Sequence, residues 1–372
     1  MKRLGTRIRD GLGMLLLALL LLCALEGLGS FAMAWRQPPR EPVVAERLHT
    51  EHDPLLGWIN KPDQFIPNMY GPGRHLHTNS QRLRARMEYL PEVPPGAVRW
   101  VCTGDSFTLG YGVDDDQTWC ALLGQTLPDL ETVNMGQGGY GIDQAYLWYD
   151  RDGGGLEHQL LLFAFVTIDR DRMGDCVFLG HPKPCLAHRD GTLERRNVPV
   201  PPPPDRSPPP ASGFRRMLQS SRLAAISRRL LNRVLARSRE GRLHQLVAAV
   251  VRELEQRTRE RGATLVLVHL PLQIDHRRSV SGSFRPFLES LSRERNIPYL
   301  DLVADLRRLP EAEVPRLFIQ YDLPGFAAAT GHYTEAGNGF VAERLVEHLR
   351  ERGLLPPPPS GGSGERQSGA TR

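Results

Sequence analysis

Residues 100–119 read WVCTGDSFTLGYGVDDDQTW. Val98 to Thr103 is a short apolar run that ends in Gly104, the pattern of a strand running into a tight turn. The turn carries Gly104-Asp105-Ser106. A helix is expected beyond it, over Asp115 to Leu127, with Trp119, Leu122 and Leu123 on one side. Strand, turn and helix in this order open an α/β unit and leave the serine hydroxyl at the carboxyl edge of a sheet.

The same alternation continues downstream. Further strands are expected over Glu131 to Met135, Leu160 to Val166, Thr264 to Leu270 and Pro298 to Leu302. Helices are expected over Ile142 to Tyr149 and over 242–261, 284–294 and 335–351. Strands that are apolar without alternation belong to parallel sheets covered on both faces, and such sheets bind ligands at their carboxyl ends. The upstream region is different. Residues 36–97 are rich in Pro, Arg and Asn, and HDPLLGWINKP and HTNSQRLR suggest short strands in an extended lead-in.

The chain of 372 residues has room for one large domain with attachments. Its net charge of +5 has a local origin, because residues 214–261 hold thirteen Arg against four Glu and leave the remainder acidic. A nucleic-acid partner is not expected from that distribution. Lys2, Arg3, Arg7 and Arg9 precede an apolar run from Met14 to Leu25 that continues more weakly to Trp35. A cationic flank stays cytoplasmic, so the bulk of the chain is expected on the extracytoplasmic, periplasmic side. Two readings stay open: a transmembrane anchor over Gly11 to Trp35, and a signal peptide cut after Ala32-Met33-Ala34. The expected division is residues 1–35 for that segment, 36–97 for the lead-in, 98–354 for the main domain and 355–372 for a disordered tail.

The main domain is interrupted by an insertion over 174–240. Cys176 and Cys185 share the loop GDCVFLGHPKPC, and export permits a disulfide between them. Cys102 and Cys120 read as small buried residues. The proline run at 198–210 reads as extended. The stretch FRRMLQSSRLAAISRRLLNRVLAR has a helical apolar stripe and an arginine-rich face. It reads as a lid helix with solvated arginines, or as an interfacial helix beside anionic lipid or an acidic glycan.

Serine is a weak nucleophile until a base takes its proton, so Ser106 needs a histidine from elsewhere. ATGHYTEAGNGFVAERL at 329–345 supplies His332 at a loop-to-helix junction. TVNMGQGGYG at 132–141 supplies glycines whose N–H groups a substrate can approach closely. Gly136 to Gly141 also fits the dinucleotide pattern G-x-G-x-x-G, but it follows the second strand and lacks the acidic residue ending the next one.

Together these pieces resemble the SGNH/GDSL hydrolase family over roughly residues 98–350, the insertion excepted. Gly104-Asp105-Ser106 resembles its first block and implies Ser106 as nucleophile. Asn134 to Gly139 resembles the second block, whose glycine N–H joins the oxyanion hole. By spacing Gly139 is the match, with Gly136 beside it. His332 with Gly337 resembles the last block, where histidine is the base. The resemblance implies a flavodoxin-like three-layer sandwich around a mostly parallel five-stranded sheet, and an esterase or O-acyltransferase acting on acyl esters; export and the exposed site suggest an O-acylated envelope glycan or a lipid as substrate. It implies no metal or organic cofactor.

Two positions depart from the family pattern. The third block usually presents Asn-Asp, its Asn donating to the oxyanion, whereas FVTIDR at 165–170 has Ile168 in that place. Thr167, Arg170 and Arg172 are the candidate substitutes. The acid usually two or three residues before the histidine is replaced by Thr330 and Ala329. Asp322 is the nearest upstream carboxylate, Asp301 ends a strand, and a Ser–His dyad is the alternative. A glycan-binding protein that has lost turnover is the competing functional reading.

Overall fold

The computed structural model describes residues 2–36, 48–189, 191–203, 222–278, 282–321, 326 and 329–356. The C-terminal tail from 357, most of the proline run and Asp322 lie outside the described residues. Two compact units are present: residues 1–42 with 204–242, and residues 43–203 with 243–372. The first holds helix α1 (Lys2–Arg36), in which Gly11–Leu28 has a mean hydropathy of 2.3 and is long and apolar enough to cross a membrane.

The second unit begins with two antiparallel pairs, β1 (Thr50–Asp53) with β2 (Gly57–Asn60) and β3 (Gln64–Ile66) with β4 (Leu76–Thr78). Strand β5 (Val98–Gly104) leads into α2 (Ser106–Leu109) and α3 (Trp119–Thr126). The helix expected from Asp115 is broken at Thr118, which caps α3 by accepting a hydrogen bond from the Ala121 N–H. Then come β6 (Leu130–Gly136), α4 (Ile142–Asp152), β7 (Leu160–Phe165) and α5 (Thr167–Arg172). Two hairpins follow, β8 (Val177–Phe178) with β9 (His181–Pro182) and β10 (Cys185–Arg189) with β11 (Thr192–Arg196). Cys176 and Cys185 form a disulfide.

The basic helix and the helix expected over 242–261 are one continuous element, α6 (Arg222–Glu260), which runs through Ser238 and Gly241 without a break. The chain closes with β12 (Thr264–His269), α7 (Phe284–Arg295), β13 (Tyr299–Asp301), α8 (Leu302–Arg308) and α9 (Glu335–Glu351).

The central sheet has five parallel strands in the order β13-β12-β7-β5-β6. Counted along the chain that is 2-1-3-4-5, the flavodoxin-like order, with the switch point between β5 and β7. Alternate side chains of each strand feed two cores. Val101, Leu161, Phe163 and Leu267 pack with α4, α7 and the part of α6 from Leu243. Trp100, Cys102, Leu162 and Val268 pack with α3, α8 and α9 on the opposite face. The result is a three-layer sandwich. A third cluster joins Met69, Tyr70 and Leu76 of the lead-in to Leu109, Tyr111, Ile319 and Phe326. The lead-in therefore packs against the segments that follow Ser106 and precede His332.

Candidate active site

Strand β5 delivers Ser106 to the carboxyl edge of the sheet. Its last residue must be glycine, because a Cβ at Gly104 would lie 2.2 Å from Thr108 Oγ1 and 2.8 Å from the Ala164 carbonyl. Asp105 caps the short helix α2, its Oδ1 accepting from the Phe107 N–H at 2.9 Å. Gly110 ends that helix at φ +90°. The loop beyond is held by Arg84 of the lead-in. Its buried guanidinium donates to the carbonyls of Leu109 and Gly110 at 2.6 Å each, to that of Val113 at 2.8 Å, and to Asp115 at 3.0 Å.

His332 comes from the opposite end of the chain. Thr334 caps α9, accepting from the Gly337 N–H at 3.1 Å, and Gly337 is small because a Cβ there would meet the Leu317 carbonyl at 2.1 Å. This packing sets the histidine loop against α2. Ser106 Oγ lies 2.7 Å from His332 Nε2. The imidazole stacks on Phe107 at 4.4 Å, and its Nδ1 lies 3.2 Å from the carbonyl of Ala329. A carbonyl only accepts, so Nδ1 carries the proton and Nε2 presents its lone pair to the serine hydroxyl. Ala329 is one of the two positions where the family places its acid; here its backbone supplies the acceptor. Asp301 does not reach this site, since its carboxylate is bound by Arg285 at 2.9 Å.

The two glycines of the second block do different jobs. Gly136 N–H donates to Asn134 Oδ1 at 2.9 Å, and a Cβ there would lie 2.1 Å from Leu109 N. Gly136 is therefore a close-packing residue beneath α2; expecting it among the oxyanion or substrate contacts needs this correction, because its donor is already used. Gly139, at φ +76°, lies three residues beyond Gly136, the last residue of β6. Its N–H and that of Ser106 have no protein acceptor among the described residues. The preceding carbonyl, Gly138 O, accepts from the Trp58 indole at 2.8 Å. In a trans peptide the N–H points opposite to the C=O, so Trp58 sets the direction of the Gly139 N–H.

The third block follows β7. Ile168 is 36% exposed. Thr167 Oγ1 is 2.9 Å from His269 Nε2, whose Nδ1 is 3.0 Å from the Tyr299 hydroxyl. Burial lowers the His269 pKa to about 4, so the ring is neutral. Arg170 pairs with Asp171 and lies over Phe284, away from the nucleophile turn. Arg172 points the other way, donating to Tyr140 O at 2.8 Å and Asp169 at 2.7 Å, and reaching Asp105 at 3.4 Å. Burial is the first cause that pushes the carboxyls of Asp105 and Asp169 up, and Asp105 adds to it at Asp169. The Arg172 cation lies alongside both carboxyls and opposes that rise.

Arg172, a candidate substitute for the missing amide donor, pairs instead with Asp169 and Asp105. Arg84 and Trp58 were not legible as site residues: their only sequence signal was an apolar or turn context, and neither lies within fifteen residues of Ser106. A cavity of about 590 Å³ opens along the edge strand β6, lined by Arg84, Tyr89, Asp115 and Glu131, and Ser106 and His332 do not line it.

No protein-family model and no curated protein matches the chain. Among solved structures it is similar to a member of the lipolytic protein G-D-S-L family from Veillonella parvula, at 14% identity over 68% of this chain and 97% of that one, with a TM-score of 0.39. It is also similar to an acetylxylan esterase from Geobacillus stearothermophilus solved as a catalytic mutant, at 12% identity over 68% of this chain and 94% of that one, with a TM-score of 0.39. An acetyl xylan esterase, AlAXEase, matches at 15% identity over 68% of this chain and 100% of that one, with a TM-score of 0.39. The fold itself is read from the sheet order and the two helical layers.

Proposed function

We propose that this protein is a serine esterase that acts on acyl esters, with its domain on the outer side of a membrane that α1 anchors it to or exports it across. The observation that carries the reading is the 2.7 Å contact between Ser106 Oγ and His332 Nε2. The hydroxyl proton passes to Nε2 as Oγ bonds the carbonyl carbon. The carbonyl oxygen, now negative, is held by the N–H groups of Ser106 and Gly139. The intermediate collapses when the leaving alkoxide takes the proton from Nε2, and an acyl-serine remains. Water then repeats the sequence and releases the acid. A sugar hydroxyl in place of water makes the same site an O-acyltransferase.

Asp322 is the proposed acid behind the imidazole, assisting the Ala329 carbonyl. Asp322→Asn then lowers kcat by about tenfold or more, the range of a lost hydrogen bond to a charged group. Export and a site at the sheet edge favour an O-acylated envelope glycan or a lipid as substrate.

A second reading, a glycan binder without turnover, is favoured by Ile168 standing where the family has its amide donor. Loss of one such donor typically costs on the order of 100- to 1000-fold in rate. A fluorophosphonate probe on detergent-solubilised full-length protein separates the two. Labelling of wild type that vanishes in Ser106→Ala and in His332→Ala supports the esterase. A folded wild type that takes no label removes it. Product analysis with and without polysaccharide then distinguishes hydrolysis from transfer.

A further inference from the structure

The loop closed by Cys176 and Cys185 lies against the glycine proposed to bind the oxyanion. A Cβ placed on Gly139 would stand 2.9 Å from Phe178 Cε1 and 3.4 Å from Trp58 Cζ2. Phe178 stacks on Trp58 with centroids 6.3 Å apart, and the Arg172 guanidinium lies 4.9 Å over its ring. On either side of Phe178 the loop presents Val177 and Leu179, which are 55% and 62% exposed. Apolar side chains at a hairpin tip beside Gly139 are surface that water solvates poorly.

The loop is held from beneath. Lys183 Nζ donates to Asp143 Oδ2 at 2.6 Å with both side chains fully buried, and it also donates to the carbonyls of Pro184, Arg172 and Asp175. Asn197 Nδ2 donates to the Lys183 carbonyl at 2.8 Å. A disulfide, a buried ion pair and a stacked arginine keep the tip in one place, so it presents a fixed surface.

Which part of an ester meets this surface follows from the two faces of the sheet. His332 and Phe107 belong with the core on the α3–α9 side, whereas Trp58, Tyr140 and Phe178 belong with the core on the α4 side. The leaving oxygen must face His332 to take its proton. With the carbonyl oxygen turned to the N–H groups of Ser106 and Gly139, the acyl substituent is left on the side away from His332, the α4 side on which the loop lies.

Resting on the esterase reading above, we propose that Val177, Phe178 and Leu179 form the acyl-chain subsite, and that the substrate carries a medium-length apolar acyl group rather than acetate alone. Each methylene buried there improves kcat/KM by about fourfold.

The test uses full-length protein in one fixed detergent with p-nitrophenyl acetate, butyrate and octanoate. The readout is the ratio of kcat/KM for octanoate to that for acetate, which is independent of the fraction of folded enzyme. Wild type is expected to show a ratio of ten or more, and the double variant V177S/L179S a ratio about tenfold lower. A flat or falling wild-type profile overturns the subsite, as does a double variant with an unchanged ratio. Hydrolysis of no ester, together with no labelling of Ser106, overturns the esterase reading and the subsite with it. Active wild type with a flat profile overturns the subsite alone.

Discussion

At the scale of single residues, Gly139 can serve the oxyanion only while its peptide keeps one orientation, and the Trp58 indole bond to Gly138 O is what holds it. Trp58→Phe keeps most of the aromatic packing and removes that bond. We expect kcat to fall by about tenfold with KM changed little, since a donor aimed at developing charge acts mainly in the transition state. Steady-state kinetics on one ester checks it; an equal fall in kcat and rise in KM would instead mean a distorted pocket. His269 makes a second case. Its folded pKa is lowered to about 4 by burial, against 6.5 unfolded, and that of His49 to about 3. A depressed histidine pKa means that the unfolded chain takes up the proton first. Stability is then full above about pH 6.5 and is lost as the pH falls toward 4, by about 2 kcal/mol per histidine at pH 5. Thermal unfolding midpoints between pH 7.5 and 5 should fall in wild type and fall less steeply in His269→Gln. An identical slope in the two proteins would rule out His269 as a contributor.

At the scale of elements, the loop between β7 and α6 is fastened to α4 by charge. Lys183 and Asp143 are both fully buried, so removing either leaves an uncompensated charge. Lys183→Met should cost about 3–5 kcal/mol, and the double replacement Lys183→Met with Asp143→Leu should recover most of it. Denaturant unfolding of the three variants measures the coupling, and additive losses would show that the ion pair is not the fastening. The lead-in is equally part of the domain. Arg84 satisfies four carbonyls and a carboxylate around the loop after Ser106. A lysine has no planar fork to span them, so Arg84→Lys should lower both stability and activity, read by unfolding and ester hydrolysis together.

At the scale of the whole molecule, the reading of α1 as an anchor predicts that the full chain stays with the membrane pellet after alkaline carbonate extraction. Protease added from the outer side should then reach the domain. Release into the supernatant would favour the signal-peptide reading. The five parallel strands were legible because each is buried on both faces and so reads as an uninterrupted apolar run. Ser106 and His332 were legible because a turn before a helix and a loop before a helix are local patterns. The break before α3 was not, because Thr118 competes for the helix start only when its hydroxyl can reach the Ala121 N–H. Gly136 and Gly139 look alike in the sequence. Only the passage of α2 over β6 separates a packing glycine from one that offers its donor.

The sequence by itself determined the strand–helix order, the serine in its turn, the histidine near the chain end and the apolar N-terminal segment, because each depends on neighbours along the chain. Tertiary structure alone decided that His332 Nε2 comes within 2.7 Å of Ser106 Oγ across 226 positions. It also decided that Trp58 and Arg84 hold the site from the lead-in, and that the disulfide loop lies against Gly139. The physical reason is the same for all three. A hydrogen bond or a ring contact is specified by where two elements pack, and that packing is set by the two faces of the sheet rather than by any local stretch of chain.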